Sequence, residues 1–181
     1  MKIGIIGNGF VGNATALFKT KETNVIVFDK DEKKCEPIGI NFDDILHTDL
    51  VFICVPTPMD ETGQCHLDIV KSVVTDLKKN QYSGFIIIRS TVPVGTCDKL
   101  GSFFSPEFLT EKNYKQDFIK NKHWIFGYPN TETPERIVKF QETISKMLHT
   151  AVVHKSIEYE NVNFVKNKEA EMVKLIKNCF L

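Results

Sequence analysis

The sequence predicts a doubly wound α/β domain, a mainly parallel sheet with helices on both faces, from three observations. Short β-rich runs alternate with stretches whose apolar residues recur at helical spacing. The first run ends in a glycine-rich turn that opens a helix, and an acid closes the second run. Strands that alternate with helices pair in parallel, because a right-handed crossover needs a helix to carry the chain back.

Taken in order, Lys2 to Gly7 and Asn24 to Asp29 read as strands around a helix from about Phe10 to Lys19. Leu50 to Val55 and Phe85 to Ser90 flank a second helix, on which Leu67, Val70, Val73, Val74 and Leu77 form one stripe. Trp124 to Gly127 is a further short strand. A helix follows with Pro134 in its first turn and Ile137, Phe140, Ile144 and Leu148 on one side, and Ala151 to His154 reads as the next strand. The segment from Lys168 to Leu181 places Met172, Leu175, Ile176, Cys179 and Phe180 on one helix side and Glu171, Lys174 and Asn178 on the other. It has no glycine, asparagine or proline stop, so it reads as an interrupted element. Residues 1–165 are expected to form one domain, and residues 166–181 to begin a linking helix.

Composition narrows the class. The 181 residues carry 23 Lys+Arg against 23 Asp+Glu, with 42% hydrophobic and 25% charged residues. That is a globular chain with a core of its own and no net charge to draw it to nucleic acid or a membrane surface. The apolar runs are too short to span a bilayer and the first residues run straight into a strand, so a cytoplasmic protein is expected. Five cysteines without a C-x-x-C pair and five histidines without ligand spacing leave no disulfide framework and no local metal motif.

Gly7-Asn8-Gly9-Phe10-Val11-Gly12 lies between the first strand and the first helix, the context in which G-x-G-x-x-G marks a Rossmann-like dinucleotide site. Gly7 allows the tight turn, Gly9 lets the backbone approach a pyrophosphate, and Gly12 lets the helix pack on the strand. The phosphates would then sit on the helix N-terminus. Asp29, 17 positions after Gly12, is placed to accept hydrogen bonds from ribose hydroxyls and to repel a 2′-phosphate, which favours NAD over NADP. Phe10 and Val11 belong to the same turn. Two further strands end in Cys54-Val55-Pro56-Thr57-Pro58 and Arg89-Ser90-Thr91-Val92-Pro93, where an open α/β sheet binds its ligands; Val55, Pro56, Thr57, Ser90 and Thr91 are therefore candidates to line the cofactor's nicotinamide half.

Ser90-Thr91-Val92-Pro93-Val94-Gly95-Thr96, Ser105-Pro106-Glu107-Phe108-Leu109-Thr110-Glu111 and Ala170-Glu171-Met172-Val173-Lys174 through Asn178 follow that motif in order. With it, they resemble the UDP-glucose/GDP-mannose dehydrogenase family of nucleotide-sugar 6-dehydrogenases over the whole chain. The resemblance implies oxidation of the C6 hydroxyl of a nucleotide sugar, UDP-glucose being favoured, to a carboxylate with reduction of two NAD. It implies that Thr91, Glu107 and Glu111 position water and act as acid and base, and that Lys174 and Asn178 stabilise charge on the substrate oxygen. Carboxylates and a Lys/Asn pair suit alcohol oxidation, which needs a proton acceptor and a donor for the developing oxyanion.

From the residues alone, Ser105-Pro106-Glu107 reads as a capped helix start, Lys174 and Asn178 as solvated surface, and Thr91 as a strand residue. The family's nucleophilic cysteine motif and its sugar-nucleotide domain have no counterpart in these residues, and neither Cys54 nor Cys179 is assigned that role. A homodimer is expected only if the chain continues. Only 20 residues separate Asp29 from Leu50 and nine separate Thr96 from Pro106, a shortening expected to remove surface near the adenine and one crossover helix. Lys112 stands where the family has glycine. A binding-only homologue and a Rossmann β-hydroxyacid dehydrogenase are the competing readings.

Overall fold

Alternate residues of the buried strands go to opposite faces of one sheet, and each face is covered by its own helices. A computed structural model describes residues 1–59, 61 and 65–179, without the side chains of Asn178 and Cys179. The elements run β1 (Lys2–Ile6), α1 (Phe10–Thr15), β2 (Asn24–Phe28), α2 (Phe42–Ile45), β3 (Leu50–Ile53), α3 (Asp68–Lys79) and β4 (Phe85–Ile88). They continue as α4 (Thr96–Leu100), β5 (Phe103–Phe104), α5 (Tyr114–Ile119), β6 (His123–Tyr128), α6 (Pro134–Val153), β7 (Asn161–Lys166) and α7 (Asn167–Cys179).

The sheet has seven strands in the order β2-β1-β3-β4-β5-β6-β7. Pairing is parallel from β2 through β5; β6 meets β5 antiparallel, and β7 runs parallel to β6. On one face Ile3, Ile5, Leu50, Phe52 and Ile87 pack with Phe18, Phe118, Phe140 and Ile144. On the other, Ile6, Val51, Ile53 and Ile88 pack with Ile45, Val70, Val74, Leu77, Cys97 and Ala170. All four residues of β3 and of β4 are buried, as strands covered on both faces must be. The doubly wound α/β expectation holds.

Three local readings are corrected. Ala151, Val152 and Val153 are the last turn of α6 rather than a strand, because Ala151 continues the buried stripe of Phe140, Ile144, Met147 and Leu148 at helical spacing. The strand comes later, at Asn161–Lys166, where asparagines occupy the exposed positions and weaken the strand signal. Ser105-Pro106-Glu107 starts no helix: Ser105 N–H donates to Ile88 O, extending the β4–β5 ladder one residue past β5, and the chain stays irregular to Thr110. The shortened link between β2 and β3 keeps a one-turn helix, α2, held by a capping box between Asn41 and Asp44.

The fourth correction concerns α7, whose charged side faces inward. Glu171 and Lys174 are buried with Asn167 and Ala170, while Met172, Val173 and Ile176 are exposed. The helix lies close on β6 at Gly127, where a Cβ would come within 2.7 Å of Asn167 Oδ1. No helix among the described residues is long and apolar enough to cross a membrane.

Candidate functional site

The chain leaves β1 toward β2 on one side and places β3 on the other, so a crevice opens beyond the C-terminal ends of β1 and β3. The turn after β1 lies at its floor. Gly7 has φ +96°, and a Cβ on it would lie 2.7 Å from Cys54 O. On Gly12 a Cβ would fall 1.9 Å from Gly7 O, so helix and turn touch backbone to backbone. Gly9 differs, since a Cβ there would have nothing within 4 Å. The protein itself does not crowd Gly9, and whatever needs its bare backbone approaches from the crevice. Gly9 also precedes α1, whose N-terminus has no side-chain cap among the described residues, leaving N–H groups and a partial positive charge for an anion.

Asp29 follows β2 at the crevice wall. Its carboxylate accepts from Asn8 N–H at 2.7 Å and Asp31 N–H at 2.9 Å, which fixes it beside the glycine turn and leaves lone pairs for a diol. Two cavities occupy the crevice. The larger, about 880 Å³, is lined by Gly7, Gly9, Phe28, Asp29, Phe42 and Ile69 among others; the smaller, about 260 Å³, by Phe10, Val11, Thr57, Arg89, Ser90, Thr91 and Glu107. They share Gly9, Cys54, Val55 and Pro56, so one path runs over the turn from Asp29 to Thr91.

Hydroxyls stitch the smaller cavity's walls. Ser90 Oγ donates to Val55 O at 2.6 Å and Thr57 Oγ1 to Thr91 O at 2.8 Å, tying the loops after β3 and β4 together. Both hydroxyls thus serve the wall. Thr91 lines the cavity with a hydroxyl that has no partner among the described residues. Cys54, buried between the two cavities, has its thiol pushed up to about 11 by burial, which keeps it protonated and poorly nucleophilic at neutral pH.

Glu107 reaches the same cavity and is gripped from behind. Its carboxylate accepts from Leu109 N–H at 2.9 Å and pairs with the Lys174 ammonium, which also donates to Glu107 O at 2.7 Å. Burial holds the Lys174 ammonium below its ordinary range, against the opposing pull of Glu107. The structure thus brings Thr91, Glu107 and Lys174 to one end of the crevice. Glu111 is not with them; it sits exposed in the turn before α5 and lines neither cavity. Asn178 lies on α7, but its side chain is outside the described residues.

The description "UDP-glucose/GDP-mannose dehydrogenase family, NAD binding domain" matches residues 40–145. The chain belongs to this family. The family match starts after the glycine turn, so the turn and Asp29 support dinucleotide binding independently of it. Among relatives, the UDP-glucose 6-dehydrogenase of Campylobacter jejuni is 28% identical over 219 residues, covering 100% of this chain and 52% of that protein. That of Rickettsia typhi is 26% identical over 222 residues, covering 100% of this chain and 49% of that protein. The solved GDP-mannose dehydrogenase of Pseudomonas aeruginosa superposes with a TM-score of 0.78 at 19% identity, over 99% of this chain and 50% of that one. The chain therefore spans about half the length of these family members, and the alignments are longer than its 181 residues, in keeping with its shortened links.

Family resemblance did not reveal every wall of the cleft. Phe28, Phe42 and Ile69 line the larger cavity, with Phe28 and Phe42 edge to face at 5.8 Å. Ile69 was detectable as an apolar residue off the Val70–Val74–Leu77 stripe, and it is exposed in the fold. Arg89 and Cys54 are also wall residues, and neither belongs to a signature that names its role. Among the described residues no group of three His, Cys, Asp or Glu could hold a metal.

Proposed function

We propose that this chain is the NAD-binding half of a nucleotide-sugar 6-dehydrogenase of the UDP-glucose to UDP-glucuronate type. The observation that carries this reading is the continuous path over Gly9, with a fixed carboxylate at one end and the Thr91, Glu107 and Lys174 cluster at the other. Its residues suit NAD. Asp29 meets the adenosine ribose, Phe28, Phe42 and Ile69 supply apolar walls for the adenine, and the open space at Gly9 receives the pyrophosphate. When bound, NAD accepts a hydride from the sugar carbon.

This chain's own residues handle the proton and the charge. Glu107 accepts the proton of the sugar C6 hydroxyl, Lys174 donates to the developing oxyanion, and Thr91 orients the group between them. Burial opposes the charge on Lys174 and Glu107 sustains it, which keeps the ammonium beside the carboxylate and the developing oxyanion. The nucleophile and sugar-nucleotide contacts of the complete reaction lie outside these assignments.

Calorimetric titration of the 181-residue chain should show saturable NAD binding, with NADP at least tenfold weaker, and no steady-state NADH formation with UDP-glucose. Absence of NAD binding by folded protein, or equal affinity for NADP, overturns the cofactor reading. Sustained sugar-dependent turnover by this chain overturns its assignment as half a site.

A further inference from the structure

Arg89, directly after β4, lines the smaller cavity of the crevice with Thr91 and Glu107, yet the chemistry assigned to that end makes no use of its charge. The residue is 2% exposed. One guanidinium nitrogen donates to Ser105 Oγ at 3.2 Å, and the guanidinium carbon lies 5.7 Å, 5.8 Å and 6.0 Å from the rings of Phe52, Phe118 and Trp124. Ring faces and a neutral hydroxyl attract a cation without cancelling its charge. Among the described residues no carboxylate forms an ion pair with Arg89, whereas Glu107 is neutralised by Lys174. Arg89 and Glu107 are the charged side chains among the described residues that line this cavity, so with Lys174 that end of the crevice holds two cations against one carboxylate. Glu171 does not offset the excess, because its carboxylate is turned to Gly95 and Cys97 on the opposite face of the sheet. Burial opposes the Arg89 charge, but a guanidinium keeps its proton at neutral pH. Its field reaches the cavity wall: at the Cys54 thiol, burial raises the pKa and Arg89 draws it back.

We infer that Arg89 sets the oxidation-state preference of the cofactor site: its buried, unpaired charge makes the chain bind NADH more tightly than oxidised NAD. This rests on the NAD reading given above. The nicotinamide ring is cationic when oxidised and neutral when reduced, while the rest of the dinucleotide keeps the same charge, so a fixed positive charge at the nicotinamide end penalises the oxidised form alone. The effect acts through the field in a poorly screened interior and needs no contact between Arg89 and the ring. By linkage, a site that holds NADH more tightly makes its bound cofactor a stronger hydride acceptor, the direction that alcohol oxidation needs. Arg89 is thus a positioning residue for charge, distinct from the groups that move the proton.

Calorimetric titration of the 181-residue protein with each dinucleotide, at constant ionic strength, should give NADH an affinity roughly tenfold above that of oxidised NAD. Arg89→Met should narrow this ratio to about twofold, and Arg89→Lys, which keeps the charge, should preserve most of it. A ratio measured within one protein is not moved by a general weakening of the site, so a purely structural role for Arg89 leaves it unchanged. A thermal melt of each variant establishes that it folds. Where Arg89→Met does not, Ser105→Asp sets a carboxylate beside the guanidinium and should narrow the ratio in the same way. Equal affinities in the wild type overturn the inference alone, as does a ratio kept in folded Arg89→Met or Ser105→Asp. Failure of both dinucleotides to bind the folded protein overturns the NAD reading and this inference with it.

Discussion

The buried carboxylate of Glu171, on α7, accepts a hydrogen bond from Gly95 N–H at 2.5 Å, across 76 positions of sequence, and another from Cys97 N–H at 2.8 Å. Gly95 has φ +88° and starts α4, so Glu171 supplies from a distant helix the cap that α4 lacks locally. The motif that begins at Ser90 is therefore held at both ends: Ser90 on the strand beside it, Gly95 on α7. This link sets the position of Thr91 relative to Lys174, one turn further along the same helix.

Glu171→Ala should lower stability by about 3 kcal/mol, since two buried N–H groups lose a charged acceptor. Hydrogen exchange should show residues 93–97 opening more readily than β1, and Glu171→Gln should lose less than the alanine variant. Equal exchange protection in wild type and Glu171→Ala would show that Glu171 does not hold the loop.

Gly9 and Gly12 separate a cofactor requirement from a folding requirement. A methyl at Gly9 meets open space, whereas one at Gly12 meets Gly7 O at 1.9 Å. Gly9→Ala should keep its thermal midpoint to within about 1 kcal/mol of stability yet bind NAD at least tenfold more weakly, while Gly12→Ala should be destabilised without any ligand. Full NAD affinity in Gly9→Ala would remove the pyrophosphate from this turn.

These residues also show how far the sequence can be read. Gly7, Gly9, Gly12 and Asp29 were legible because each acts through local backbone geometry within 23 residues of chain, and strand alternation put β1 to β4 in place. Helix amphipathicity misleads at α7: it reads Lys174 as solvated surface, but Lys174 and Glu171, on the same side, turn inward to partners 67 to 76 positions away. No local period encodes such pairings. Arg89 is a similar case, a cation inside a run of buried strand residues whose aromatic surroundings come from β3, α5 and β6. The strand Asn161–Lys166 was missed because its asparagines contradict strand propensity, and only the edge position next to β6 tolerates them.

The Lys174–Glu107 pair is nearly closed off from solvent, with side-chain exposures of 3% and 10%. Breaking one partner leaves the other charge buried, so Lys174→Met and Glu107→Leu should each cost about 3 kcal/mol or more. The double variant should recover much of that loss, because an apolar pair has no desolvation to offset. Denaturant unfolding of the three proteins checks the cycle. Additive losses in the double variant would show that the two charges do not stabilise each other.

Stability should fall at alkaline pH, in part through Cys54. Its thiol titrates from the ordinary 9.0 up to about 11 in the fold, with burial as the main cause. A group whose pKa is raised by folding holds its proton more tightly in the native state, so its contribution is complete below pH 9 and is lost as pH rises through 11. The loss attributable to Cys54 is about 2 kcal/mol over that interval and approaches about 3 kcal/mol only above pH 11. Cys97 shifts in the same sense, through burial and then the charge of Glu171, and steepens the decline. Urea unfolding of wild type and Cys54→Ala at pH 8, 9, 10 and 11 measures the effect. The variant begins lower, because a buried side chain is truncated, but its curve should be flatter by about 2 kcal/mol across the window. Parallel curves would mean that the Cys54 thiolate is as well accommodated in the fold as in water, and would reopen Cys54 as a reactive group beside the cofactor cleft.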